Sequence, residues 1–419
     1  MRPFTALLVA GGLVLGAQTA QAAPVKPANW ITAYSLPAFS PADTRRAGLE
    51  HDEAGRTIRE MVRLNTAGSR LRVKFTNETG EAAVAIGHAH IALAMPNGDP
   101  IPGSDRELHF GGRAGLTVSS GASAYSDPVD LPVAAFGDVV VSTFLPGPSP
   151  VHLGGHLAGL QVAQGDATAA AIMPGAIQQT APSFISRIDV APAGPRRLLV
   201  AIGDSITEGA ASTPGAHMSW PEQFARHLAT TPTGRTWSVA NAGISGNRVL
   251  HDGSGPALLA RFDRDALALP GVSAVIVLEG INDIGRAATG EGGAQPVSAS
   301  ELIAAFKRLI ARTHAHDVRI YGGTILPYEG AKYYSAGGEA IRSTVNAWIR
   351  SSGAFDGVID FEAVMRDPTH PTRLSHAADS GDHLHPGDEG YRLMADAIDP
   401  LMLSAGRTPH SYNLHTDKP

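Results

Sequence analysis

The amino-acid sequence predicts two domains of different class, an antiparallel, jelly-roll-like β-sandwich followed by an α/β domain on a buried parallel sheet. Three observations carry this. The chain has 419 residues, more than one hydrophobic core usually serves. From about Trp30 to Gln164, short alternating apolar runs are broken regularly by Gly, Pro, Asn and Asp with almost no helical periodicity, the pattern of strands that bury one face each. Beyond about Ala191, continuous apolar runs alternate with stretches of helical period, as in βαβ units whose strands are covered on both faces.

Taken in order, residues 1–23 read as a secretory signal peptide. Met1-Arg2-Pro3 precedes an apolar run from Phe4 to Ala17, and Ala20-Gln21-Ala22 supplies a small-residue site, with cleavage after Ala22 or Ala23. The run is shorter than the roughly 20 residues a membrane-spanning helix needs. No later stretch is apolar enough to span a bilayer, so a soluble, secreted or periplasmic protein is expected. The chain has no cysteine, so stability must come from core burial even though export permits disulfides, and a lipid-modified cysteine anchor is excluded. A formal net charge of -6 gives no basic footprint for nucleic acid.

Residues 24–190 are the expected sandwich, with strand-like runs at Thr57 to Leu64, Leu71 to Asn77, Val84 to Leu93, Gly115 to Val118 and Asp138 to Phe144. The stretch from Thr180 to Arg187 leads through Ala191-Pro192-Ala193-Gly194-Pro195, a Pro/Gly-rich joint that places the boundary near Ala191. Residues 191–403 are the expected second domain. Its strands are predicted at Leu198 to Ile202, Ala274 to Leu278, Val318 to Ile325 and Gly357 to Phe361. Its helices are predicted at Trp220 to Leu228, Glu301 to His314, Gly338 to Ser351 and Gly390 to Ile398. Residues 404–419 are a polar, aperiodic tail, and no internal repeat is evident.

Four short segments in the second half carry chemistry. Gly203-Asp204-Ser205 puts a serine at a strand-to-helix turn, where its hydroxyl is exposed and nearby N–H groups face outward; the plain alternative is an N-cap serine. The local sequence is not the G-x-S-x-G elbow, because position 207 is Thr. Asn241-Ala242-Gly243-Ile244-Ser245-Gly246-Asn247 is a second strand-to-loop passage whose glycines let a backbone N–H approach a ligand, or else a turn. Gly280-Ile281-Asn282-Asp283 offers an uncharged amide donor, or an Asx-turn or cap. In Asp382-His383-Leu384-His385-Pro386, the spacing of Asp382 and His385 lets the carboxylate orient the imidazole on one turn; otherwise it is a polar loop with a capping aspartate. Together these supply a nucleophile, oxyanion donors and an oriented base, the parts needed for acyl transfer. The pairs His88/His90, His314/His316 and His383/His385 have metal-ligand spacing, but no further ligands accompany them, so neither a metal nor a cofactor is expected.

These blocks, GDSITEG, NAGISGN, GIND and DHLHP, resemble the SGNH (GDSL) hydrolase family from Leu198 to near Leu401. The resemblance implies a three-layer α/β/α, flavodoxin-like domain. It implies Ser205 as nucleophile, His385 as base and then acid, and Asp382 as its orienter. The oxyanion hole would be built from the N–H groups of Ser205 and Gly246 and the side chain of Asn282. Gly246 is preferred over Gly243 because the family's donor is the glycine in the second half of its block. The amino-terminal half is similar to the β-sandwich that precedes the catalytic domain in some secreted bacterial members, on segments such as Thr57-Ile58-Arg59 and Leu108 to Gly112, and would either bind carbohydrate or buttress the active-site rim.

The expectation is a secreted serine esterase working through an acyl-enzyme on short acyl groups, acetyl foremost, carried by a polysaccharide or small-molecule ester. A lipase or phospholipase acting on longer chains is the first alternative. The second is a non-catalytic carbohydrate-binding protein.

Overall fold

The structure, a computed structural model, describes residues 29–38, 55–147, 158–181, 184–290 and 295–404. The expected signal peptide and residues 405–419 of the expected tail lie outside the described residues.

The described amino-terminal part is built on two large antiparallel sheets, with a further two-stranded one. One runs in the order β1 (Ile31–Ser35), β13 (Ile185–Ala191), β3 (Gly68–Asn77) and β8 (Ala122–Tyr125), with β9 (Val129–Val133) also on β3. The other runs β12 (Ile177–Ala181), β11 (Ala158–Gln164), β2 (Arg56–Arg63), β10 (Asp138–Leu145), β5 (His88–Leu93) and β6 (Arg106–Glu107). Strand β3 shows why they stack: Leu71, Val73 and Phe75 are buried while Arg70, Arg72 and Lys74 alternate on the other face, the period of 2 that one buried face demands. The inward residues of the first sheet join Ile58, Val62, Val139, Val141 and Ile91 of the second in one apolar core, and Phe75 meets Phe110 edge to face at 5.6 Å.

The expected run from Val84 to Leu93 is two strands that part at Gly87. β4 (Val84–Ile86) pairs with β7 (Leu116–Val118), whereas β5 joins the large sheet beside β10. The stretch expected to form the joint contains β13, which is fully integrated between β1 and β3, and the connection to the next domain is confined to residues 192–196.

The second part is a parallel sheet in the order β15 (Trp237–Gly243), β14 (Arg197–Gly203), β16 (Val272–Leu278), β17 (Arg319–Gly323) and β18 (Gly357–Ile359). In chain order this is 2-1-3-4-5, the flavodoxin-like doubly wound arrangement. Helices α2 (Trp220–Thr230), α7 (Phe361–Met365) and α8 (Asp388–Asp396) pack together on one side, with Trp220 5.5 Å from Phe361. Helices α3 (Leu258–Phe262), α4 (Ile281–Thr289), α5 (Ala299–Ala315) and α6 (Ala336–Ser351) pack together as a second group. Capping boxes at Ser219/Glu222 and Ser298/Glu301 start α2 and α5. Helices α3, α4 and α7 carry too short or too mixed a pattern to stand out in the sequence. Two strands are shorter than expected. Residues beyond Gly323 leave the sheet, and Phe361 opens α7 because the Asp360 side chain caps it, accepting from the Ala363 N–H.

The two parts share one continuous core. Strand β1 lies against the edge strand β15, where Asn65 Nδ2 donates to Val239 O at 2.6 Å and Ser238 Oγ to Thr32 O at 2.9 Å. An uncovered edge strand invites pairing with another chain, and here the sandwich covers it.

Candidate active site

Register brings the site together. Gly203 at the end of β14 is level with Gly243 of β15 and with Leu278 of β16. The residues that follow each strand, Asp204-Ser205, Ile244 to Asn247 and Glu279 to Asn282, therefore emerge side by side. β14 is the strand from which the order runs in both directions, and such a switch point leaves a crevice beyond the carboxyl ends.

Ser205 begins the four-residue helix α1 (Ser205–Glu208), capped by the Asp204 side chain, which accepts from Ile206 N–H. Ser205 is 6% exposed, and its Oγ lies 2.8 Å from His385 Nε2. On the other side of that ring, Nδ1 is 2.6 Å from Asp382 Oδ2. Ser205 and His385, 180 positions apart in the chain, thus meet in one hydrogen-bonded line with Asp382.

Asp382 and His385 do not sit on a helical turn. The segment is a bend in which the N–H groups of Leu384 and His385 both donate to Asp382 Oδ1, and His383 takes a left-handed φ of 62°. Burial pulls the Asp382 carboxyl up, but hydrogen bonds from the His385 ring and from these N–H groups outweigh it and hold it below the ordinary carboxylate value. The loop is anchored by Asp379, which accepts from Gly381 N–H and His383 N–H, and the helix that follows it, α8, is tied to the residues after α1 by the Tyr391 hydroxyl, which donates to Ala210 O at 2.6 Å.

The two glycines of the second block differ. Gly243 ends β15, and its N–H is already given to Asn241 Oδ1 at 2.9 Å. Gly246 has a φ of 75°, a region open to glycine at little cost. Its N–H has no acceptor among the described residues. A side chain on Gly246 would run into Ser254 and Arg286. Asn282, 4% exposed in the first turn of α4, has a buried Nδ2 with no partner among the described residues.

Behind these groups lie residues that were not among the expected site residues. Arg261 of α3 is fully buried and donates to Gly203 O at 2.9 Å, Ala242 O at 2.8 Å and Asn247 Oδ1 at 2.8 Å, joining the strand ends that precede Ser205 and Gly246. A lone arginine in a short helix carries no signal for this. Asp283 accepts from the N–H groups of Val249 and Leu250, holding the loop after Gly246; its place in the third block was the available clue. Burial raises the Asp283 carboxyl to about 6 against those hydrogen bonds, and raises Asp204 to about 7 against the Ile206 N–H and the nearby His385. Glu279 goes well above its ordinary value, by burial first and then by the neighbouring Asp204 charge, with Arg261 opposing.

The histidine pairs engage other groups. His88 meets Asp166, His90 meets Asp105, His314 meets Asp356 and His383 meets Asp379, each through a ring nitrogen, while His316 Nδ1 faces Arg312 O. Among the described residues there is no cluster of three or more groups able to hold a metal.

Residues 201–393 match the family model described as the GDSL-like lipase/acylhydrolase family. The chain carries a hydrolase domain of this family. A GDSL-like domain makes it a carboxylic ester hydrolase. No curated protein is similar enough to count as a relative. Among solved structures, the chain is similar to a lipolytic protein of the G-D-S-L family from Desulfitobacterium hafniense, at 24% identity over 48% of this chain and 97% of that one, with a TM-score of 0.36. It is also similar to an acetylxylan esterase from Geobacillus stearothermophilus, at 23% identity over 51% and 96%, TM-score 0.39. A third is a GDSL-like lipase from Bacteroides thetaiotaomicron, at 17% identity over 50% and 88%, TM-score 0.38.

Proposed function

We propose that this GDSL-like domain is a serine esterase that removes short acyl groups, acetyl foremost, from carbohydrate after export from the cytoplasm. The observation that carries the mechanism is the line Ser205 Oγ, His385, Asp382, with contacts of 2.8 and 2.6 Å. His385 Nε2 takes the hydroxyl proton as Oγ attacks the ester carbonyl. The resulting oxyanion is received by the N–H groups of Ser205 and Gly246 and by Asn282 Nδ2. Collapse breaks the bond to the alcohol, which leaves with the proton from His385. Water then attacks the acyl-enzyme with His385 as base, releasing the acid and restoring Ser205.

The short-chain preference is supported by the surface. Among the described residues, the exposed large hydrophobics are Met61, Ile101, Ile172, Ile177, Val358, Val364 and Leu401, and none lies in the loops carrying Ser205, Gly246, Asn282 or His385. A lid for long acyl chains would present such side chains at the site. For the sandwich, a buttressing role is supported over carbohydrate binding. No aromatic side chain is strongly exposed among its described residues, while β1 and Asn65 brace the edge strand next to β14. Export rests on the charged, apolar and small-residue order of residues 1–23.

The test is labelling of Ser205 by a fluorophosphonate, followed by rates on acetyl, butyryl and octanoyl p-nitrophenyl esters and release of acetate from acetylated xylan and pectin. Labelling at Ser205 with acetyl hydrolysed fastest is expected. An unlabelled Ser205 removes the acyl-enzyme, and faster hydrolysis of octanoyl removes the chain-length reading in favour of a lipase-type esterase. The amino-terminal sequence of the exported protein, expected to begin at Ala23 or Pro24, tests the export step.

A further inference from the structure

We propose that Tyr333 is a positioning residue that orients the Asn282 amide, its phenol O–H holding Oδ1 so that Nδ2 faces the crevice. This rests on the oxyanion role given to Asn282 above. Tyr333 lies in the stretch between β17 and α6, 51 residues from Asn282, and its hydroxyl donates to Asn282 Oδ1 at 3.4 Å. Both side chains are buried, at 8% and 4% exposure.

The two ends of an asparagine amide have nearly the same shape, and a phenol can donate to Oδ1 or accept from Nδ2; here it is Oδ1 that faces the Tyr333 hydroxyl. With a phenol donating to Oδ1, the buried and otherwise unpartnered Nδ2 is the end left for the reaction. The opposite orientation would aim a carbonyl oxygen at the developing oxyanion and repel it.

A slot is built for this ring. Gly285 is three residues after Asn282, on the same face of α4, and a Cβ there would overlap the Tyr333 ring. The absence of that one carbon lets the aromatic ring press flush against the helix and reach Asn282. Tyr328 packs against it with ring centroids 6.1 Å apart. Burial, and then the charge of Asp204, push the phenol well above its ordinary value, so it remains a protonated donor wherever the enzyme works. Tyr328 and Asp382 raise it further and Arg286 opposes them, which places the hydroxyl among the charged groups around Ser205.

The test is a double-mutant cycle on p-nitrophenyl acetate with Tyr333→Phe, Asn282→Ala and the pair. Tyr333→Phe keeps the ring in its slot and removes one oxygen. The expected result is a fall in kcat of about 5- to 10-fold, the size of one hydrogen bond, with KM within about twofold and no further loss when Asn282 is already Ala. Gly285→Ala, which displaces the ring but leaves the phenol intact, is expected to give the same kcat-selective loss and serves as the second variant. An unchanged kcat in Tyr333→Phe, or an equal loss in the Asn282→Ala background, overturns the inference. If Asn282→Ala itself keeps the parental kcat, the oxyanion reading fails and takes this inference with it; if Asn282→Ala falls and Tyr333→Phe does not, only the inference fails.

Discussion

In the sandwich, Asp189 of β13 is fully buried and fully matched. Its carboxylate accepts from Thr32 Oγ1 at 3.1 Å and from Arg72 Nε and Nη2 at 3.0 and 2.9 Å, and the Arg72 guanidinium lies over the rings of Trp30 and Tyr125. In the hydrolase domain, Asp204, Glu279 and Asp283 gather beyond β14 and β16 with far less to match them. Both Glu279 oxygens lack a hydrogen bond among the described residues, and Arg261 stands 3.8 Å away. A matched buried charge acts as a cross-link between strands, because breaking it strands its partner. Under-matched carboxyls are pushed toward the neutral form instead. That has a use here: negative charge beneath the proposed oxyanion hole would oppose the charge that must form in it, and each carboxyl that keeps its proton removes one such charge.

The comparison is sharpened first by Ser205→Ala, which should lower kcat by about 10⁴- to 10⁶-fold while leaving the urea midpoint almost unchanged; activity within tenfold of the parent would break the assignment of the serine. The reverse signature is expected of Asp189→Ala. It strands the Arg72 guanidinium, which is 24% exposed, and should cost about 3 kcal/mol of unfolding free energy with kcat and KM of the folded enzyme unchanged.

A pH-dependent effect is expected of Asp204→Asn, which keeps an acceptor for Ile206 N–H but cannot ionise. Folding raises this carboxyl from the ordinary 3.8 to about 7, so the folded state holds the proton more tightly. Its contribution is fully present below about pH 4 and is lost as pH rises through about 7, each unit of displacement being about 1.4 kcal/mol. Urea midpoints between pH 4 and 8 should therefore fall less steeply with pH in the variant than in the parent; parallel profiles would remove Asp204 as a source of the slope. The smallest effect is expected at the joint. Asn65→Ala loses the bond to Val239 O and should cost about 0.5–1.5 kcal/mol, read from the same midpoints.

Much of the candidate site was legible because its residues lie within short local blocks. Strand runs such as Leu198 to Ile202 are continuous because both faces are covered, and the chemical residues follow them directly. Residues whose role depends on a distant partner were not legible. Arg261 reads as an ordinary helical arginine until it is seen donating to the ends of β14 and β15, and Tyr333 reads as one of several tyrosines. β13 reads as part of a linker because its pairing with β1 and β3 joins segments more than 100 residues apart.

The sequence by itself determined the class of each half, the place of the chemical blocks and the kind of reaction they serve, because periodicity and residue type act over a few neighbours. Only the tertiary structure decided that Gly243 spends its N–H on Asn241 while the Gly246 N–H has no acceptor among the described residues, that Asn282 Nδ2 is buried without a partner among them, and that a buried arginine ties two strand ends together. Those outcomes depend on strand order and register, which are settled by how distant segments pack, and no local pattern encodes them.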